Sequence, residues 1–224
     1  MSTHGNPAKH ERRIRGVTLV EVMIVVAIIG VLAAMSMVAF DALGRRGALQ
    51  NAAFDMQGVL TTARAQAVSR GYPMWIVLRP AASRKALEGG QGVFFLVEDA
   101  GSDYVRAPAG LFTLEPKASA LVSAAYFLED YSKGVRFEAL TPGETAQYAQ
   151  PFSGLTVRTC GFCSETPLRG AIGFFPDGSA RFVNGQGAYV FTKNQGLALS
   201  SLDRKTQYLF AIAGPTGYVT AFSH

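Results

Sequence analysis

Hydrophobic and polar positions fall along this chain in three successive patterns. Residues 1–16 are mostly polar and contain Gly5 and Pro7, which argue against helix. From Val17 to Phe40 the chain is almost uniformly apolar, with a single ionisable residue, Glu21, and no proline. As a helix rising about 1.5 Å per residue, that run is long enough to cross a hydrocarbon core about 30 Å thick. Beyond Phe40 the pattern turns amphipathic. Leu49, Ala52, Ala53, Met56, Val59, Leu60, Ala63 and Ala67 recur at spacings of three and four, with Asp55, Gln57, Arg64 and Gln66 between them. Gly71 and Pro73 supply a stop, so one helix of roughly 80 Å is expected from residue 17 to about 70.

From Met74 onward the periodicity is that of short strands. Met74–Leu78, Val93–Glu98, Val135–Glu138, Leu155–Arg158, Ala171–Phe175, Ala180–Val183, Ala188–Thr192, Gln207–Ala213 and Tyr218–Phe222 are rich in aromatic and β-branched residues. Pro176-Asp177-Gly178-Ser179 is a hairpin signal, because Asp-Gly accepts the positive φ of a tight turn, and Asn184-Gly185 repeats the device. Segments 81–92, 99–110 and 141–154 read as loops suited to the surface rather than to a core. Residues 117–131 are compatible with helix or strand. The fold class expected is α+β: a leader over 1–16, a membrane or filament-core helix over 17–40, its amphipathic continuation over 41–70, and a β-rich globular domain over 71–224.

The junction at Gly16 has its own meaning. An ordinary secretory signal has a shorter apolar core and a small-residue cleavage site on its far side. Here the break in character lies on the near side, so cutting after Gly16 removes the basic leader and keeps the apolar segment. Gly16-Val-Thr-Leu-Val-Glu21, behind Arg12, Arg13 and Arg15, resembles the processing site of type IV prepilins and type II secretion pseudopilins. The resemblance implies that a prepilin peptidase cleaves between Gly16 and Val17 and N-methylates Val17, although the family's usual first mature residue is Phe. It also implies that Glu21, fifth in the mature chain, pairs with the freed N-terminus of this or a neighbouring subunit and so sets axial register. The alternative for Glu21 is a position near the interface, reaching the headgroups.

Three further segments are similar to the GspH/FimT subfamily. These are the alanine-rich Ala63-Arg-Ala-Gln-Ala67 ahead of Arg70-Gly-Tyr-Pro73, the Phe174-Phe-Pro-Asp-Gly-Ser179 hairpin, and Ala213-Gly-Pro-Thr-Gly-Tyr-Val219, with Tyr218 where arginine is usual. They imply an H-type minor pseudopilin of a type II secretion system near the tip of a pseudopilus, or a type IV pilus minor pilin of the FimT/FimU kind. The implied partners are the prepilin peptidase, other pseudopilins or pilins, and an inner-membrane assembly platform. Val38 stands where many major pilins have proline, which points towards a minor subunit or pseudopilin.

Charge refines this picture. Of 21 Lys+Arg and 16 Asp+Glu, four bases and one acid lie in the leader, so the remainder is only +2. By the positive-inside rule the N-terminus stays cytoplasmic and the residues after 40 lie outside, and the pilin-like resemblance implies an inner-membrane anchor with the folded domain in the periplasm. A nucleic-acid partner is not expected. Arg79 and Arg84-Lys85 are sparse, and residues 206–224, where some FimT relatives use basic residues to bind DNA, hold no Lys or Arg.

Gly44 and Gly47, beside Arg45-Arg46, read as an ordinary membrane interface, with a hinge as the alternative. His4, His10 and His224 are the only histidines. The body of the chain therefore offers no imidazole base or ligand, and neither enzyme activity nor a cofactor is expected. Cys160 and Cys163 are the only cysteines. With no further soft ligand and a non-cytoplasmic position, the pair reads as a local disulfide that shapes an edge, with free thiols as the alternative. Glu98, Asp99 and Asp103 fall short of a calcium-loop pattern and read as solvated charge.

Overall fold

The computed structural model describes residues 18–114, 122–140, 148, 150–203 and 205–224. The leader, Gly16, Val17, residues 117–121 and residues 141–147 lie outside these described residues. The chain divides into two compact units, residues 1–42 and 43–224, and the helix α1 (Leu19–Arg70) contributes to each. Gly30, Gly44 and Gly47 all fall inside it. At its far end the Gly71 amide donates to the Ala67 carbonyl at 3.1 Å and Gly71 takes φ +75°, which ends the helix at the expected place.

In the second unit the described strands form two antiparallel sheets. The first has six: β1 (Met74–Arg79), β2 (Val93–Glu98), β3 (Val122–Phe127), β5 (Gly170–Phe174), β6 (Ala180–Asn184) and β7 (Tyr189–Val190), in the order β3-β2-β1-β5-β6-β7. The second has β4 (Val135–Arg136), β8 (Asn194–Ser201), β9 (Gln207–Ala213) and β10 (Val219–Ser223), in the order β10-β9-β8-β4.

The period-two rule of strands distributes β1 between two cores. Met74, Ile76 and Leu78 join the helix stripe, and all eight stripe residues from Leu49 to Ala67 are buried there. Leu197, Leu199, Phe210 and Ile212 of the second sheet belong to the same cluster. Trp75 and Val77 point the other way, into a core closed by Leu111 and Phe112. A third cluster lies on the outer face of the second sheet, where Ala198, Leu209 and Ala211 meet Tyr148, Phe152 and Val157. Both sheets are thus covered on two faces, which is why β1 is buried at every residue.

Several expectations need correction. Segments 99–110 and 148–154 are not merely surface loops. A short helix α2 (Asp103–Arg106) and a 3-10 turn (Pro108–Thr113) form the lid over Trp75, while Tyr148 and Phe152 are core residues. Leu155–Arg158 forms no strand; it has the right composition but no ladder partner, and Val157 simply plugs the third core. β4 is cut to two residues because the next amide, Phe137, donates across to Gln91 at 3.1 Å. The open segment 117–131 contributes strand β3. β8 was not expected, because Asn194-Gln-Gly-Leu-Ala-Leu-Ser-Ser201 has no β-branched residue. Its strand state comes from burial between β9 and β4.

The hairpin chemistry divides in the same way. In the β5–β6 turn Gly178 takes φ +83°, and Asp177 accepts bonds from the Ser179 amide and hydroxyl. In the β6–β7 turn Gly187 (φ +85°), not Gly185, takes the left-handed conformation. Asn184 still organises that turn, accepting from the Gln186 and Ala188 amides at 3.0 Å.

Candidate functional site

The first candidate site is the start of α1. Its four leading amides have no partner within the helix and need capping. Thr18 stands just before the first helical residue, and the Glu21 amide is within reach of both the Thr18 hydroxyl (3.3 Å) and its carbonyl (3.1 Å). Thr18-Leu-Val-Glu21 therefore has the S/T-x-x-E spacing of a capping box, a signal present in the sequence and overlooked in reading it. It fixes where the helix begins, and with it the height of the Glu21 side chain. An acidic group in the first turn also complements the positive end of the helix dipole. Glu21 is exposed, as is every residue from Thr18 to Ser36. Among these, Leu19–Ser36 is long and apolar enough to cross a membrane.

A family model described as the prokaryotic N-terminal methylation motif matches residues 12–37. That motif implies a type IV pilin-like or pseudopilin protein. The match covers the leader end, Gly16, Val17 and the apolar part of α1, and it brings with it prepilin peptidase processing and assembly with other pilins. One apolar N-terminal helix is compatible with the single-pass anchor typical of such structural subunits. No curated protein matches the chain. No solved structure matches it either.

The second candidate site is where three distant segments of the folded unit meet. Arg64, on the polar side of the helix stripe, donates through Nε to the Thr216 carbonyl at 3.2 Å. Thr216-Gly217 lies against the β5–β6 turn, so that a side chain on Gly217 would collide with the Gly178 carbonyl. The Ala180 amide donates to the Gly214 carbonyl at 2.7 Å and completes the junction. Helix, first-sheet hairpin and second-sheet hairpin are thereby tied at one point.

Other singled-out residues prove to be structural. Asp99 is buried, which overturns its reading as solvated charge. Its carboxylate accepts from Trp75 Nε1 at 3.0 Å and from the Asp103 and Tyr104 amides, pinning α2 over the sheet. Glu98 accepts from Arg70 and Tyr72, fastening the end of α1 to β2. Arg79 is buried, donates to the Phe112 and Leu114 carbonyls, and lies over the Phe95 ring. Arg84 pairs with Asp130 and stacks on Phe127 at 4.3 Å. Tyr131 donates to Asp55 of the helix, and burial together with that bond pushes its phenol well above the ordinary value.

Cys160 and Cys163 are bridged, with their Cα atoms 5.3 Å apart. The bridged turn continues the edge of β8 beyond β4: the Ala198 amide donates to the Thr159 carbonyl, and the Gly161 amide to that of Gly196. Between the cysteines, Phe162 is buried with its ring 5.4 Å from Phe182.

Proposed function

We propose that this chain is a minor, H-type pseudopilin of a type II protein secretion system, a structural subunit at or near the tip of a periplasmic pseudopilus. The single observation that supports the subfamily reading is the junction of Arg64, Gly178 and Thr216-Gly217. These residues come from the three segments that resemble GspH/FimT proteins, and their contact gives one physical reason for all three. The basic leader (Arg12, Arg13, Arg15) holds the N-terminus in the cytoplasm, and the folded unit lies in the periplasm. The peptidase cuts between Gly16 and Val17 and methylates Val17. The apolar helix then passes from lipid into the filament centre on an assembly platform in the inner membrane.

Glu21 has a specific task in this scheme. A carboxylate at membrane depth costs several kcal/mol, on the order set by known intramembrane charges, unless it is partnered. The freed amine of Val17, on this or a neighbouring subunit, is the partner proposed. The pair forms only at one axial offset and so fixes the register of stacking.

Intact-mass measurement of the membrane form tests the scheme, with loss of residues 1–16 expected, with or without one methyl group. A chain still starting at Met1 in the assembled filament would refute it. Mild solubilisation then separates the settings. Pseudopilins of a secretion system are expected to co-purify, whereas pilus subunits would assign the chain to the FimT/FimU kind.

A further inference from the structure

The β7 edge of the six-stranded sheet lies beside a cavity of about 620 Å³. Its walls include Arg181, Phe182, Val190, Phe191, Lys193 and Pro215, and its lining is mainly apolar with no acidic residue. Phe191 is 94% exposed, far beyond the other large apolar side chains of the folded unit. A phenylalanine held in water beside an apolar groove has a cost that a partner would remove.

The backbone at this edge is also available. The Asn184 amide donates to the Ala188 carbonyl, so those residues form a hydrogen-bonded pair of the β6–β7 ladder. By antiparallel alternation Phe182 and Val190 form the next such pair, while Tyr189, opposite Val183, faces away. The amide and carbonyl of Tyr189 therefore point outward from β6, and the chain turns at Phe191, just past the end of β7, where the Thr192 amide donates to the Val190 carbonyl at 3.0 Å. The Tyr189 hydroxyl donates to the Val105 carbonyl at 2.9 Å, which holds the strand in place, and its ring lies 6.5 Å from that of Phe191.

Two cations flank the groove. The Arg181 guanidinium is stacked 4.1 Å above the Phe175 ring, and both Arg181 and Lys193 are exposed. Among the described residues neither groove cation forms an ion pair, and the one carboxylate within electrostatic reach of Arg181 is that of Asp177 in the β5–β6 turn.

We infer that the β7 edge is a docking site for an extended acidic peptide segment of a partner protein. The segment adds as a short strand beside Tyr189, packs on the exposed Phe191 ring, places an apolar side chain in the cavity, and sets its carboxylates against Arg181 and Lys193. Strand addition supplies affinity through the backbone, and the pocket and charges supply specificity. Two cations are too few for a phosphate track, whereas outward-facing backbone groups suit a peptide. The inference is independent of the secretion or pilus setting.

The test uses the full chain in detergent and a library of labelled nine-residue peptides alternating valine or phenylalanine with glutamate, followed by fluorescence anisotropy. Binding is expected, and Phe191→Ala should weaken it at least about tenfold, as for a central aromatic anchor. The R181Q/K193Q double variant should weaken it similarly and flatten its salt dependence. Peptides N-methylated at alternate amides should lose binding with the protein unchanged. Any of four results overturns the proposal: no peptide retained, equal binding of lysine-for-glutamate peptides, equal binding of N-methylated peptides, or displacement by a single-stranded oligonucleotide. Because Phe191 is almost wholly in solvent, its replacement leaves the fold intact.

Discussion

At the scale of single residues, two buried polar groups behave in opposite ways. Asp99 answers three donors, one of them the indole of the only tryptophan in the chain. Replacing it with alanine strands buried donors at about 1–3 kcal/mol each. Asp99→Ala should therefore lower stability by roughly 2–4 kcal/mol in urea unfolding, with Trp75 fluorescence shifted in the native state. Tyr148 is the reverse case, since its buried hydroxyl meets no partner among the described residues. Burial alone pushes its phenol up to about 12 from the usual 10.0. As pH rises the unfolded chain loses this proton first. The stability contributed by the neutral phenol is whole below about pH 10 and is lost between about 10 and 12. Tyr148→Phe should leave stability at pH 7 equal or slightly higher and shallow the alkaline decline. An unchanged slope between pH 10 and 12 would exclude Tyr148 as a contributor.

At the scale of elements, the second half of α1 is defined by which face it buries. Leu60 is fully buried among both sheets, whereas Phe54 on the other side is 57% exposed. Leu60→Ala removes packed atoms and leaves a cavity, costing about 2–5 kcal/mol. Phe54→Ala should cost under about 0.5 kcal/mol despite deleting the larger side chain. Equal losses in thermal unfolding would mean that the stripe is not what holds this helix. The strands teach a related lesson. β1 and β2 announced themselves through composition, whereas β8 and Leu155–Arg158 exchanged fates. A ladder needs a neighbour on at least one edge, and composition does not show who the neighbours are.

At the scale of the whole molecule, the proposed function asks one apolar helix to be tolerated first by lipid and then by sister subunits. Glu21 is proposed to matter only in the second environment. Glu21→Ala should leave membrane insertion intact, because removing a charge from an apolar segment favours insertion. Breaking an ion pair of low solvent access costs about 3–5 kcal/mol. The fraction of subunits co-sedimenting with filaments should accordingly fall more than about tenfold. Undiminished incorporation of the variant would remove the register argument while leaving the processing motif untouched.

The chain's own order of residues determined the apolar run after Gly16, the buried stripe from Leu49 to Ala67, the stop at Gly71 and the turn at Asp177-Gly178. Each depends on neighbours within a few positions, through helical spacing or local backbone conformation. The N-terminal motif was legible for the same reason, and the cap at Thr18, although equally local, emerged only from the hydrogen bonds of the Glu21 amide. Tertiary structure alone decided that Asp99 would be buried, that loops 99–110 and 148–154 would close two cores, and that Arg64 would reach Thr216. Those outcomes depend on residues far apart in sequence, brought together only when two sheets are covered on both faces, and no local pattern encodes that covering.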